Sequence, residues 1–299
     1  MTKLIECIPN FSEGQRHEVI EGLAIVAKSV PGVTLLDYSA DASHNRSVFT
    51  LVGDPEGIKT VAVELAKYAA EYIDLTEHEG EHPRMGAVDV IPFVPVKNAT
   101  MEECIEIAKE VGERIFAEAG IPVYLYEEAC TKETRRNLAS VRKGQFEGMA
   151  KKMAKAEWAP DFGEPKPHPT AGVVAVGARM PLIAFNVNLS TSDVEIAGKI
   201  AKIIRGSSGG LQYCKAIGIM IEDRDMAQVS MNLTNYEGTP IYRVVELIKA
   251  EAKRYGVTVV GTELIGLAPA KALIDSAEYY LQLEDFDYTK QVLENHLIG

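Results

Sequence analysis

Residues 75–86 read LTEHEGEHPRMG, and within them His78-Glu79-Gly80-Glu81-His82 fits the H-E-x-x-H pattern of zinc proteases. That pattern binds metal only on one helix, where histidines four apart stand on the same face. Two residues argue against the helix. Gly80 lies in the middle, at about 1 kcal/mol relative to alanine in a helix interior. Pro83 pushes the residue before it, His82, from helical toward extended geometry. Glu102 or Glu103 offers a third ligand downstream, which keeps a zinc-hydrolase reading in view. The competing picture is a loop over 77–87 that concentrates His78, Glu79, Glu81, His82 and Arg84. Loops on a rigid scaffold are where functional side chains gather. Histidine titrates near neutrality, so a histidine held there can both give and take a proton. The bland alternative is a solvated loop histidine without a role.

A second polar pattern lies on strands. Gln228, Ser230 and Asn232 alternate with Val229, Met231 and Leu233, so the polar three share one strand face. Asn186 and Asn188 repeat this over 183–188, and Asn10 ends the matching run in the first half. Amides donate and accept, so such a face, once covered, suits a flat heterocycle with alternating donors and acceptors. Uncovered, it is a solvated sheet face.

The elements that must position these residues follow from hydrophobic periodicity. Leu4–Ile8 reads as a strand stopped by Pro9, and residues 15–29 carry a helical stripe of Val19, Ile20, Leu23, Val26 and Ala27. Residues 33–38 and 47–52 read as strands, and Ile58, Val61, Ala62, Leu65, Ala69 and Tyr72 mark an amphipathic helix ending near 74–76. Val88–Val96 is extended, and Pro92 and Pro95 predict an edge strand. A helix over 101–119 and a strand over 122–126 complete a β-α-β-β-α-β order with an added αβ pair. The second half repeats it: LIECIPNFS (4–12) aligns with LIAFNVNLS (182–190), and Glu56-Gly57 with Glu237-Gly238. The fold class predicted is α/β (α+β), two similar ferredoxin-like βαββαβ subdomains with mixed sheets, residues 1–181 and 182–299. Between them WAPDFGEPKPHPTAG (158–172), with prolines at 160, 165, 167 and 169, reads as a linker or a working loop.

Length and composition are those of a soluble globular protein: 299 residues, 46% hydrophobic, 25% charged. A net charge of −12 argues against a nucleic-acid binder. No apolar run approaches the ~20 residues a membrane span needs, and the start shows no signal-peptide pattern. Cys7, Cys104, Cys130 and Cys214, widely scattered, read as reduced thiols of a cytoplasmic protein. Against the acidic whole, residues 132–155 hold eight basic residues and two acidic ones. That run is either a solvated helix pair or a patch that steers an anionic substrate.

Longer stretches are specific. ECIPNFSEG (6–14), GEHPRMGAVDVIPFVPV (80–96), VYLYEEA (123–129), WAPDFG (158–163), LIAFNVNL (182–189), AQVSMNL (227–233) and VVGTELIGL (259–267) together resemble the glutamate formiminotransferase family, also found as the front half of formiminotransferase–cyclodeaminase. The resemblance spans nearly the whole chain and stops where the cyclodeaminase domain would begin. It implies transfer of a formimino group from N-formimino-L-glutamate to tetrahydrofolate in histidine degradation, in a homodimer. Tetrahydrofolate enters as co-substrate, no metal is expected, and a separate cyclodeaminase takes the product.

The resemblance also assigns residues. The catalytic histidine of the family's G-E-H-P-R-M-G motif falls on His82, as general acid and base. Its folate-binding stretch falls on Gly163, Glu164, Pro165, Lys166, Pro167, His168, Pro169, Thr170, Ala171 and Gly172. Supporting candidates are Glu81 or Glu79 beside a cationic intermediate, Arg84 as a bidentate grip on a glutamate carboxylate, and the amides Asn10, Asn186, Asn188 and Gln228. His78 is a bystander or orienting group. Formyl donors such as 5-formyltetrahydrofolate are a variant within the family, and a non-catalytic amino-acid or folate sensor is the reading from another class.

Overall fold

The computed structural model describes residues 3–297. The chain divides between Arg179 and Met180 into two compact units. The first contains β1 (Leu4–Cys7), β2 (Asn10–Phe11), α1 (His17–Ser29), β3 (Val33–Asp41), β4 (Arg46–Gly53), α2 (Pro55–Tyr72), β5 (Val88–Lys97), α3 (Met101–Ala119), β6 (Val123–Glu127), α4 (Leu138–Arg142), α5 (Gln145–Met153) and β7 (Val174–Ala178). Local sequence sets the helix ends. Asp54 accepts from the Gly57 amide with Pro55 in the first helical position of α2. Thr100 and Glu103 form a reciprocal capping box on α3, and Gly120 ends that helix in the left-handed region, at φ +68°.

The seven strands form one mixed sheet in the order β3-β4-(β1,β2)-β5-β7-β6. The first four positions are antiparallel, and β7 joins β5 and β6 in parallel. One face is covered by α1, α2 and α3 over a core that includes Leu23, Phe49, Leu51, Ile58, Leu65, Phe93 and Ile115. On the other face α4 and α5 cover β5, β6 and β7 through Val90, Tyr124, Tyr126, Val141, Met149 and Met153. Over β4, Arg46, Val48, Thr50 and Val52 stay partly exposed.

The edge position predicted for β5 is wrong. This strand is interior, paired with β1 and β2 on one side and β7 on the other. Its prolines are tolerated because of what faces them. Opposite Pro92 the first strand is itself broken at Ile8-Pro9, where the Ile8 amide donates to the Pro92 carbonyl at 3.1 Å. Pro95 lies past Phe93, the last residue paired with β7.

The second unit contains β8 (Ile183–Leu189), α6 (Val194–Ile204), β9 (Cys214–Ile221), β10 (Met226–Leu233), α7 (Ile241–Lys253), β11 (Val259–Ile265) and α8 (Ala270–Leu281). Its sheet, β11-β8-β10-β9, is antiparallel throughout rather than mixed. The order last-first-third-second also describes β5, β1, β4 and β3 of the first unit, so both halves carry the βαββαβ arrangement read from the sequence. Ile183, Val187, Val229 and Leu233 pack with Ile200, Ile204, Val244 and Ile248 in the second core. Among the described residues no helix is long and apolar enough to cross a membrane.

Candidate active site

Residues 73–87, between α2 and β5, hold no helix, so the single helical face that an H-E-x-x-H site requires is not formed. The two histidines take different partners. His78 Nε2 donates to the Asn45 carbonyl at 2.9 Å, and its Nδ1 accepts from Arg84 Nε at 3.1 Å. His82 Nδ1 lies 3.0 Å from Arg46 Nη1. Gly80 is required by the path of the loop: a Cβ there would stand 2.6 Å from the His44 carbonyl. Asn45 Nδ2 donates to the Glu79 carbonyl and the Glu81 amide to the Ser43 carbonyl, which ties the loop to the β3–β4 turn.

The same loop is joined to residues 170–173, the end of the proline-bearing stretch. The Leu75 amide donates to Thr170, the Ala87 amide to Ala171, and the Val173 amide to Met85. Gly86 and Gly172 form an antiparallel bridge. His168 organises its own turn: Nδ1 accepts from the Ala171 amide at 3.0 Å, and the His168 and Gly172 backbones exchange hydrogen bonds. So 158–172 is not a linker but a loop packed within the first unit. Gly172 has φ +67°, and a Cβ on it would lie 2.2 Å from the Met85 carbonyl. Gly172→Ala combines left-handed strain of about 1–2 kcal/mol with that backbone clash. We expect a fall in melting temperature of roughly 5 °C or more, measured by calorimetry, together with weaker activity.

Behind His82 lies a buried ionic cluster that the sequence reading missed. Asp89 is fully buried. One carboxylate oxygen accepts from Arg142 Nη2 at 2.6 Å and Arg46 Nη1 at 3.3 Å, the other from the Met85 amide at 2.8 Å. Arg46 Nη2 donates to Asn10 Oδ1 at 2.5 Å. Burial alone would raise the Asp89 pKa; the charges of Arg142 and Arg46 outweigh it and hold the carboxyl below its usual range. His82 is pushed down to about 4, by burial first and then by Arg46 and Arg142, with Asp89 opposing. The ring is therefore neutral at physiological pH.

Other candidates are placed differently. Arg84 is nearly buried and its fork grips Glu147, at 2.7 and 3.0 Å. Glu79 and Glu81 are exposed, and the carboxylate facing His82 is Asp89. The basic run at 132–155 is only partly solvated. Arg135 is buried on Asp161, Arg142 on Asp89, and Lys152 donates to the carbonyls of Ser140 and Val141 while lying 3.8 Å from the Trp158 ring centre. Lys132, Lys143, Lys151 and Lys155 remain exposed.

Asn10 joins the His82 cluster, whereas Asn186, Asn188 and Gln228 lie in the second unit. There Gln228 is opposite Asn188, and Ser230 opposite Asn186. Gln228 Nε2 donates to Asn188 Oδ1 at 2.7 Å, and Glu263 on β11 accepts from Asn188, Gln228 and Arg224. Glu263 was also missed; it sits in the VVGTELIGL stretch, in register with Asn186.

Two α/β units that share a strand order, with an imidazole set against a buried ion cluster, are a scaffold open to many reactions, and sequence comparison supplies the class. The family described as formiminotransferase domain, N-terminal subdomain, matches residues 4–179, and that described as formiminotransferase domain matches 184–298. A glutamate formimidoyltransferase of Streptococcus pyogenes serotype M1 is 68% identical over the full length of both chains. One of Thermoplasma acidophilum is 48% identical, covering 95% of this chain and 94% of that one. The formimidoyltransferase-cyclodeaminase of Gallus gallus is 47% identical over 95% of this chain but only 53% of its own length. The chain belongs to the formiminotransferase family. It is a transferase, and the group it moves is the formimino group.

Proposed function

We propose that this enzyme transfers the formimino group of N-formimino-L-glutamate to tetrahydrofolate, giving 5-formiminotetrahydrofolate and L-glutamate, as a step of histidine degradation. The observation that supports the reading is the joining of two segments: the loop bearing His82 hydrogen-bonds to Thr170 and Ala171, at the end of the stretch assigned to folate. The folate amine that attacks the amidine carbon must lose a proton, and the departing glutamate nitrogen must gain one. His82 does both in turn, at about 10²–10⁴ in rate. The enzyme acts as a cytoplasmic homodimer, and a separate cyclodeaminase consumes the product.

The test is an absorbance assay with formiminoglutamate and tetrahydrofolate, with formylglutamate as control donor. Formation of 5-formiminotetrahydrofolate dependent on both substrates is expected. Transfer from formylglutamate alone would replace this reading with formyl transfer, and ligand binding without turnover would replace it with a sensor.

A further inference from the structure

A guanidinium has donors and no acceptor. The 3.0 Å contact between Arg46 Nη1 and His82 Nδ1 therefore needs a lone pair on Nδ1, and the neutral ring carries its proton on Nε2. In this state the ring has no free lone pair, so it donates but cannot act as a base. Arg46 is held there by Asp89 and Asn10. The charged and titratable groups facing the ring are Arg46 from β4, Asp89 from β5, Arg142 from α4 and, 6.4 Å away between ring centres, His44 of the β3–β4 turn. Two guanidiniums against one carboxylate leave a net positive charge. Arg142 Nε is buried and has no acceptor. Both arginines still keep about one-sixth of their side-chain surface exposed, at 16% and 15%.

Resting on the formimino-transfer reading above, we propose that Arg46 masks the basic nitrogen of His82 in the free enzyme, and that a carboxylate of the amino-dicarboxylate donor, drawn to the Arg46–Arg142 pair, unmasks it. With Arg46 turned to the carboxylate, the Nδ1 lone pair takes the proton of the attacking ammonium, whose N–H electrons stay on the folate nitrogen. The imidazolium then returns that proton from Nδ1 to the glutamate nitrogen as the C–N bond breaks with its electron pair on nitrogen. The ring ends as it began, with its proton on Nε2. The anion also offsets the two positive charges, which brings the ring's basicity back toward neutrality, where proton transfer is efficient. Arg46 is a positioning residue: it acts through His82.

The test is ring-nitrogen NMR on the full chain with ¹⁵N-labelled histidine, the His82 signals being assigned with His82→Gln. In the free enzyme at pH 7 the expected state is Nε2 protonated and Nδ1 bare. Arg46→Met is expected to give a mixture of tautomers and to raise the ring's titration by at least one pH unit. Adding the product L-glutamate should shift the Nδ1 resonance of the wild type, and Arg142→Met should require at least tenfold more glutamate for the same shift. A proton on Nδ1 in the free wild type overturns the masking, even if Arg46→Met does not fold; so does an unchanged tautomer in Arg46→Met. An Nδ1 signal unmoved by glutamate up to 100-fold above the Michaelis constant of the donor overturns the unmasking. None of these readouts depends on turnover, so a failed transfer assay would strike the functional reading and leave the tautomer result standing.

Discussion

His82→Ala is expected to lower kcat by about 10²–10⁴ while the protein stays folded. The side chain is only half-buried, and Arg46 keeps Asp89 and Asn10 when the ring is gone. The melting temperature should therefore change by no more than a few degrees, and the change in kcat should far exceed the change in KM. The measurement is steady-state formimino transfer beside a thermal melt. Retention of most of the wild-type kcat would remove His82 from the proton transfer. The same result would also leave the Arg46 contact without a catalytic purpose.

Asp89→Ala acts on the same cluster but reads out as stability. It leaves Arg46 and Arg142, both largely buried, facing each other with Arg142 Nε already unpaired. Breaking a buried ion pair by removing one partner costs about 3–5 kcal/mol, and here one carboxylate serves two partners. A loss of roughly 10 °C in melting temperature is expected for a domain of this size. The pH dependence has a fixed sign. The folded Asp89 carboxyl is held below its unfolded value of about 3.9. Its contribution is present above that pH and is lost as pH falls through the lower, folded value. The stability gap between wild type and Asp89→Ala should therefore be full at pH 7 and narrow below about pH 4. Urea unfolding at a series of pH values measures it; a gap that widens with acid would mean that Asp89 is not an ionised partner.

Much of the fold is legible because its causes are local. The helix over 101–119 announces itself through Thr100, Glu103 and Gly120, all within one turn of its ends. The repeat of βαββαβ is legible from the order of elements, and it returns as the shared strand order of the two sheets. The position of β5 was misread because the tolerance of Pro92 depends on a break in another strand, at Ile8-Pro9. No local pattern carries that information. The buried members of the basic run were illegible for the same reason: Arg135 and Arg142 find their carboxylates on Asp161 and Asp89, 26 and 53 residues away.

The site was half legible. His82 stood out by its motif and by Pro83, which denies it a helix, and the family resemblance gave it a role. Its charged neighbours did not, because Arg46 and Asp89 are 43 residues apart and meet only through sheet pairing. One signal was present: between Met85 and Val96, Asp89 is the single charged residue in an otherwise apolar and proline-bearing strand. A lone carboxylate in such a run needs a buried cation, and Arg46, at the head of the alternating strand on the far side of β1 and β2, supplies one. Glu263 lay in the VVGTELIGL stretch, but its place beside Asn186, Asn188 and Gln228 depends on the pairing of β11 with β8.

The account rests on the imidazole at position 82 reaching the atoms that exchange the formimino group. A crystal structure with 5-formyltetrahydrofolate bound tests this most directly. The prediction is a His82 ring nitrogen within hydrogen-bond reach, about 3 Å directly or through one water, of the pterin N5 or its formyl group. A well-ordered pterin lying away from that ring, or the ring nitrogen bonded to a metal ion, would contradict it.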